Sequence, residues 1–179
     1  MQEQSVILVD EHDSVLGSLP KLEAHKLGVL HRAISVFLFD FDGNWIIQQR
    51  ALDKYHSPGL WTNTCCSHPF PNEESIDAAN RRLMEEMGME CKLNYLFKFL
   101  YRAELDNNLI EHELDHIYVG FTNDIPHPNY DELNTWKTMS YIEIDQDIQA
   151  NPENYTAWFK LLYKKVSLKM VLETTFRKN

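Results

Sequence analysis

Between Leu60 and Met89 the chain runs LWTNTCCSHPFPNEESIDAANRRLMEEMGM, and no other stretch limits its folding so narrowly. The first part is small and polar, reads as a loop, and carries Cys65, Cys66 and His68. The second part reads as a helix: Asn72 can cap its start, Glu73 and Glu74 suit the positive end of the dipole, and Gly88 can stop it. Ile76, Ala79, Leu83 and Met87 recur at helical spacing and should face a core. Ala78, Arg82 and Glu86 form a neighbouring stripe, where the small Ala78 leaves Arg82 and Glu86 room to face a cavity. Thiols, an imidazole and charges therefore sit beside a helix that must be packed on one side.

The rest of the chain supplies that packing. Ser5 to Asp10 and Val15 to Leu19 read as short strands around a polar turn, and Lys21 to Leu30 as a connection containing His25. His31 to Phe41 is apolar and β-prone; the turn Asp42-Gly43-Asn44 leads into Trp45 to Gln49, which makes a hairpin opened by His31. Arg50 to Gly59, RALDKYHSPG, is a loop whose Arg50 and Lys54 suit either solvent or an anion. Cys91 to Leu105 is strand-rich and carries Tyr101 near its end. In Leu109 to Phe121, alternation puts Glu111, Glu113, Asp115, Ile117, Val119 and Phe121 on one face. That face turns apolar, so Glu111 and Glu113 approach burial and need a cation, metal or proton to offset desolvation; the alternative is an exposed acidic hairpin end. Trp136 to Ile144 reads as a further strand, Asp145 to Asn154 as a polar segment, and Tyr155 to Phe176 as a terminal helix with Trp158 near its start.

Composition removes several classes of function. A chain of 179 residues with 44% apolar content fits one domain, residues 1–179, with a sizeable core. Its net charge of −10 and lack of a basic block argue against a nucleic-acid partner. No apolar run is long enough for a membrane, and the polar N-terminus does not read as a signal peptide. Three cysteines, two of them adjacent, make a poor disulfide framework. A reducing, cytoplasmic setting is the expectation.

His25, His31, His68, Glu111 and Glu113 offer imidazole and carboxylate ligands suited to Zn, Mn or Fe, too many for a four-coordinate structural zinc. The helix register resembles the Nudix box, G-x5-E-x7-R-E-U-x-E-E-x-G-U with U apolar. Glu73, Arg81, Leu83, Glu85, Glu86, Gly88 and Met89 match; Ser67 replaces the glycine and Arg82 replaces the glutamate after the arginine. A guanidinium there removes a carboxylate that Nudix hydrolases use to hold metal on a diphosphate.

The run RALDKYHSPGLWTNTCCSHP, the Glu111-x-Glu113 strand and Trp158 together resemble the type 1 isopentenyl-diphosphate isomerases, a branch of the Nudix superfamily, and the likeness covers nearly the whole chain. It implies an α+β fold, a Nudix-like mixed sheet packed between helices. It implies one Zn²⁺ or Mn²⁺ at His25, His31, His68, Glu111 and Glu113, and acid/base roles for Cys66 and Glu113 with Tyr101 beside the glutamate. Glu86, with Cys66 on the same site, would hold Mg²⁺ on the substrate diphosphate, and Lys21, Arg50, Lys54 and Arg82 would bind that group directly. Trp158 would offer its π face to a carbocation, a contact worth roughly 2 kcal/mol when desolvated. Cys65 reads as a packed thiol. The resemblance implies a small-molecule diphosphate substrate and a monomer or weak homodimer. Two alternatives stay open: a Nudix hydrolase of a nucleoside or other diphosphate, and a small protein using Cys65, Cys66 and His68 as a structural zinc site.

Overall fold

The computed structural model describes residues 5–176. Its centre is the strand β3 (His31–Phe39), in which every residue but Arg32 is buried. A near-continuous apolar run buried on both faces has to be covered twice, and it is. Ile34, Val36 and Leu38 point to one face, where helix α2 (Ser75–Met87) lays Ala78, Ala79, Leu83 and Met87 on them. Phe37 and Phe39 point to the other, against α4 (Ala157–Phe176), whose Trp158, Phe159, Leu162 and Val166 are buried there. Each such side chain is worth about 1.5–3 kcal/mol of burial, so these two layers fix the sandwich.

Around β3 the described residues form one mixed sheet. The edge hairpin β1 (Ser5–Val9) and β2 (Val15–Pro20) pairs through Leu8 with His31. On the other side β3 turns into β4 (Trp45–Arg50), as the hairpin reading expects, although β3 ends at Phe39. Asp40 ends it by accepting backbone bonds from Asp42 and Asn44 while Gly43 takes φ +87°. The short strands β5 (Trp61–Thr62) and β6 (Cys65–Ser67) pair with β4 and β3 respectively. The long strands β7 (Asn94–Glu104) and β8 (Ile110–Phe121) form an antiparallel pair, and β8 runs parallel to β3 with Glu113 opposite His31. Then β9 (Leu133–Met139) joins β4. The expected mixed sheet between helices is the fold. Among the described residues no helix is long and apolar enough to cross a membrane.

Four local expectations are corrected. Lys21 to Leu30 is not a plain connection: Lys21–Leu27 is a short helix, α1, closed by Gly28 at φ +62°. It turns because Ala24 and His25 bury against the sheet, a tertiary reward that seven residues conceal. Asn72 does not cap α2. It sits in a left-handed turn at φ +68°, Glu74 occupies the cap position without a side-chain bond, and Glu73 instead accepts the Phe70 N–H at 2.7 Å. The strand expected through Ile144 stops at Met139, and Tyr141–Ala150 is a helix, α3, which takes in much of the segment read as merely polar. A capping box between Ser140 and Glu143 starts it, a spacing visible in the sequence. Lastly, Phe121 leaves the buried face at the end of β8 and is 46% exposed.

Candidate active site

The parallel register of β3 and β8 brings two distant stretches together. His31 opens β3 directly across from Glu113, α1 adds His25, and the residue after β6 is His68. Nitrogen and oxygen atoms of His25, His31, His68 and Glu113 all lie within 4.8 Å of one another, and all four side chains are buried. His31 donates from Nδ1 to the Val29 carbonyl at 2.9 Å, so in the neutral ring its Nε2 is a bare lone pair. That lone pair faces His68 Nε2 at 3.2 Å and Glu113 Oε1 at 3.5 Å. His25 Nε2 and His68 Nδ1 have no partner although both are buried. Burial lowers His25 to about 4 and His68 to about 3, with Lys21 adding to both. Neutral imidazoles and a carboxylate gathered out of water, with orphaned nitrogens, are what a divalent metal satisfies. Of the five expected ligands, four are gathered here; Glu111 stands outside the group.

Glu111 instead shares a neighbour, the Tyr101 hydroxyl, with Glu113. The Tyr101 hydroxyl lies 2.5 Å from Glu113 Oε2 and 3.1 Å from Glu111 Oε2. Burial opposes charge on both carboxyls, but the imidazoles of His31 and His68, 3.5 and 2.9 Å from its Oε1, hold Glu113 well below the usual range. For Glu111, burial and then the neighbouring Glu113 charge push it well above. The two carboxyls are thus pushed in opposite directions, Glu113 down and Glu111 up, by neighbours that differ. The exposed acidic end considered above is ruled out: Glu111 and Glu113 are 4% and 5% exposed.

The short strand β6 separates the two cysteines by alternation. Cys65 is fully buried in the core under α2, the packed thiol expected. Cys66 points to the opposite side and lines a cavity of about 280 Å³. Burial raises its thiol to about 12, with Arg50 opposing the effect and the Glu86 carboxylate adding to it. It carries its proton at neutral pH. The same cavity is lined by Tyr101, Glu113 and His68, and by Trp158, whose Nε1 donates to Asn63 Oδ1 at 3.2 Å. The Arg50 guanidinium stands 5.3 Å over the Trp158 ring.

The expected cations Lys21, Arg50, Lys54 and Arg82 all line this cavity too. Arg50 is braced by the carbonyls of Ser57 and His56 at 3.1 and 3.2 Å, which settles its loop as a built wall rather than a solvated one. Arg82 and Glu86 do face the cavity from α2, bonded to each other at 2.7 Å, and Gln48 donates to the other oxygen of Glu86 at 2.8 Å. The matching box residues are paired as well: Arg81 holds Glu73 at 2.7 Å and Glu85 at 3.2 Å.

Sequence reading passes over Gln48, Tyr55, His56 and Glu132, all in the cavity wall. Tyr55 contacts His25 Nδ1 at 2.8 Å. His56, 4% exposed, stands 3.9 Å from Glu111 and packs its ring toward Trp158. Both lie in the RALDKYHSPG run, where His56 is buried while the more exposed Tyr55 turns its hydroxyl toward His25. Glu132 follows a proline-containing segment with no motif of its own, and only the fold reveals it.

A mixed sheet between helices, with a guanidinium-and-carboxylate helix beside a cavity, defines a Nudix domain; the model described as NUDIX domain matches residues 29–159. Solved structures agree at the level of fold. A crystal structure of DR0079 from Deinococcus radiodurans superposes with a TM-score of 0.76 at 17% identity, covering 90% of this chain and 98% of the other. A MutT protein from Methanosarcina mazei Go1 gives 0.64 at 13% identity, covering 78% and 94%. Sequence relatives narrow the class. An isopentenyl-diphosphate Delta-isomerase of Pectobacterium atrosepticum is 52% identical over 90% of each chain. An isopentenyl-diphosphate Delta-isomerase 2 of Aromatoleum aromaticum is 50% identical over 92% of this chain and 87% of its own. The chain belongs to the isopentenyl-diphosphate Delta-isomerase family.

Proposed function

We propose that the chain is an isomerase that interconverts isopentenyl diphosphate and dimethylallyl diphosphate by adding one proton and removing another through a tertiary carbocation. The observation that carries this is a single cavity flanked by a half-buried, protonated thiol, Cys66, and by the Tyr101–Glu113 couple. In this reading one of these groups protonates the terminal alkene carbon while the other takes a proton from the carbon on the far side of the cation, and the two exchange roles when the reaction reverses. Lys21, Arg50, Lys54 and Arg82 bind the diphosphate and fix the alkene between them, so that positioning replaces diffusion. Trp158 covers the cation with a ring that offers no nucleophile. When metals are bound, the His/Glu group would hold one Zn²⁺ or Mn²⁺ and Glu86, beside Cys66, would hold Mg²⁺, the first supplying positive charge next to Glu113 and the second charge to offset the diphosphate.

A hydrolase is disfavoured because Arg82 stands where the Nudix box has a glutamate, and Glu73 and Glu85 are engaged by Arg81 and Arg82. A structural zinc at Cys65, Cys66 and His68 is disfavoured because Cys65 and Cys66 belong to opposite faces of the sheet. The test is turnover of isopentenyl diphosphate in D₂O. Deuterium in a methyl group of dimethylallyl diphosphate without inorganic phosphate is expected. Cys66→Ala and Glu113→Gln should each lower kcat by about 10²–10⁴-fold. Product free of deuterium, or phosphate release by the wild type, would overturn the reading.

A further inference from the structure

Arg82 offers a phosphate little that is free, since carboxylates face four of its five N–H donors. A guanidinium presents five N–H donors in one planar fork. Here Nε and Nη2 reach Glu86 Oε1 at 3.2 and 2.7 Å, Nη1 reaches Glu85 Oε2 at 2.7 Å, and Nη2 also stands 3.3 Å from Glu132 Oε1. The other oxygen of Glu132 accepts a hydrogen bond from the Lys54 ammonium. One carboxylate that no motif announces thus occupies two of the four cations in the cavity wall.

An anion that is to use Arg82 must displace a carboxylate, and the three are not equally held. Glu86 is 5% exposed and is also gripped by Gln48. Glu85 projects away from the cavity wall, which it does not line. Glu132 makes the longest contact to Arg82, has no side-chain partner besides these two cations, and keeps 24% of its side chain exposed while lining the cavity. Its backbone, by contrast, is pinned. Ala51 N–H donates to its carbonyl at 3.2 Å, its own N–H donates to Asn129, and Asn129 N–H donates to the carbonyl of Glu86 at 2.8 Å. The chain cannot slide away, but the side chain can turn.

We propose that Glu132 is an internal stand-in for a phosphate group: it holds Lys54 and Arg82 aimed into the empty cavity and is displaced from them by the incoming diphosphate. This rests on the reading of the cavity as a diphosphate site. Glu132 is a positioning residue whose ion pairs compete with the ligand, so removing its charge should favour binding. The neighbours keep it ready for that exchange: burial works against its charge, but the Lys54 hydrogen bond and the Arg82 charge hold it ionised.

The experiment is calorimetric titration of the full chain with inorganic pyrophosphate, comparing wild type, Glu132→Gln and Glu132→Asp, with KM and kcat measured on the same preparations. Glu132→Gln should bind pyrophosphate about tenfold more tightly, with the change carried by KM rather than kcat. Glu132→Asp, which keeps the charge on a shorter arm, should fall between. Pyrophosphate binding that is unchanged or weaker in Glu132→Gln would overturn the proposal and leave Glu132 as a brace for the cations. Failure of the wild type to bind pyrophosphate would overturn the diphosphate-site reading itself, and the proposal with it.

Discussion

At the scale of single residues, burial decides which groups carry charge. Cys66 is kept protonated and the buried Glu113 ionised within one cavity. Trp158 does more than fill space if its ring faces a cation. Phe keeps a weaker π face and Leu keeps bulk without one, so kcat should fall in the order Trp158, Trp158→Phe, Trp158→Leu. Equal losses in two folded variants would reduce it to packing. His56 allows a pH test. Burial and the nearby Arg50 charge lower it from 6.5 to about 2, so the folded state excludes a proton that the unfolded chain accepts. Its contribution is fully present above pH 6.5 and is lost as the pH falls below that value, at up to about 1.4 kcal/mol per unit. Urea unfolding at pH 7.5 and 5.5, with chelator present, should show wild type losing about 1 kcal/mol more than His56→Gln. Identical losses would mean that His56 is already charged in the fold.

At the scale of elements, α2 shows how one helix serves two masters. Ala78, Ala79, Leu83 and Met87 pack it to the sheet, while Arg82 and Glu86 turn to the cavity. Its end is set by Gly88, at φ +60°, whose N–H donates to the Met84 carbonyl. The segment before β9 docks there: His127 and Asn129 donate to the carbonyls of Met87 and Glu86, satisfying groups a helix end leaves orphaned. A Cβ on Gly88 would lie 2.3 Å from the His127 carbonyl oxygen. Gly88→Ala should therefore cost about 3 kcal/mol in urea denaturation, from backbone strain and this clash together. A loss within about 0.5 kcal/mol would mean that the 127–132 segment yields freely. Because that segment also carries Glu132, the same variant links helix packing to the anion wall.

At the scale of the whole molecule, the metal group exists only because α1, β3, β8 and the turn after β6 meet. With four ligands gathered and Glu111 beside them, the purified chain should hold about one transition metal. Elemental analysis should find it lost from His68→Ala and Glu113→Gln but largely kept in Glu111→Gln. Equal loss in Glu111→Gln would make that residue a fifth ligand after all.

Local chemistry was enough to read much of this from the chain. The alternation in His31 to Phe39 and Glu111 to Val119, the helical stripe ending at Gly88, and the thiols beside His68 are patterns of neighbouring residues, and each one constrains its own element. The residues of the site could be named individually for the same reason, their resemblance to a known motif being a matter of order along the chain. What the order could not contain is register. A parallel pairing shifted by one residue would have turned Glu113 away from His31, and nothing local forbids it. Packing on both faces of β3 does. The same holds for the helix in Lys21–Leu27, too short to form without the sheet it covers, and for His56 and Glu132, ordinary in sequence and functional in place. Glu111 and Glu113 look alike along β8; only the contacts of Tyr101, His31 and His68 push the one carboxyl up and hold the other down. Charge state in a buried site depends on which groups surround it, and those neighbours are chosen by the tertiary fold.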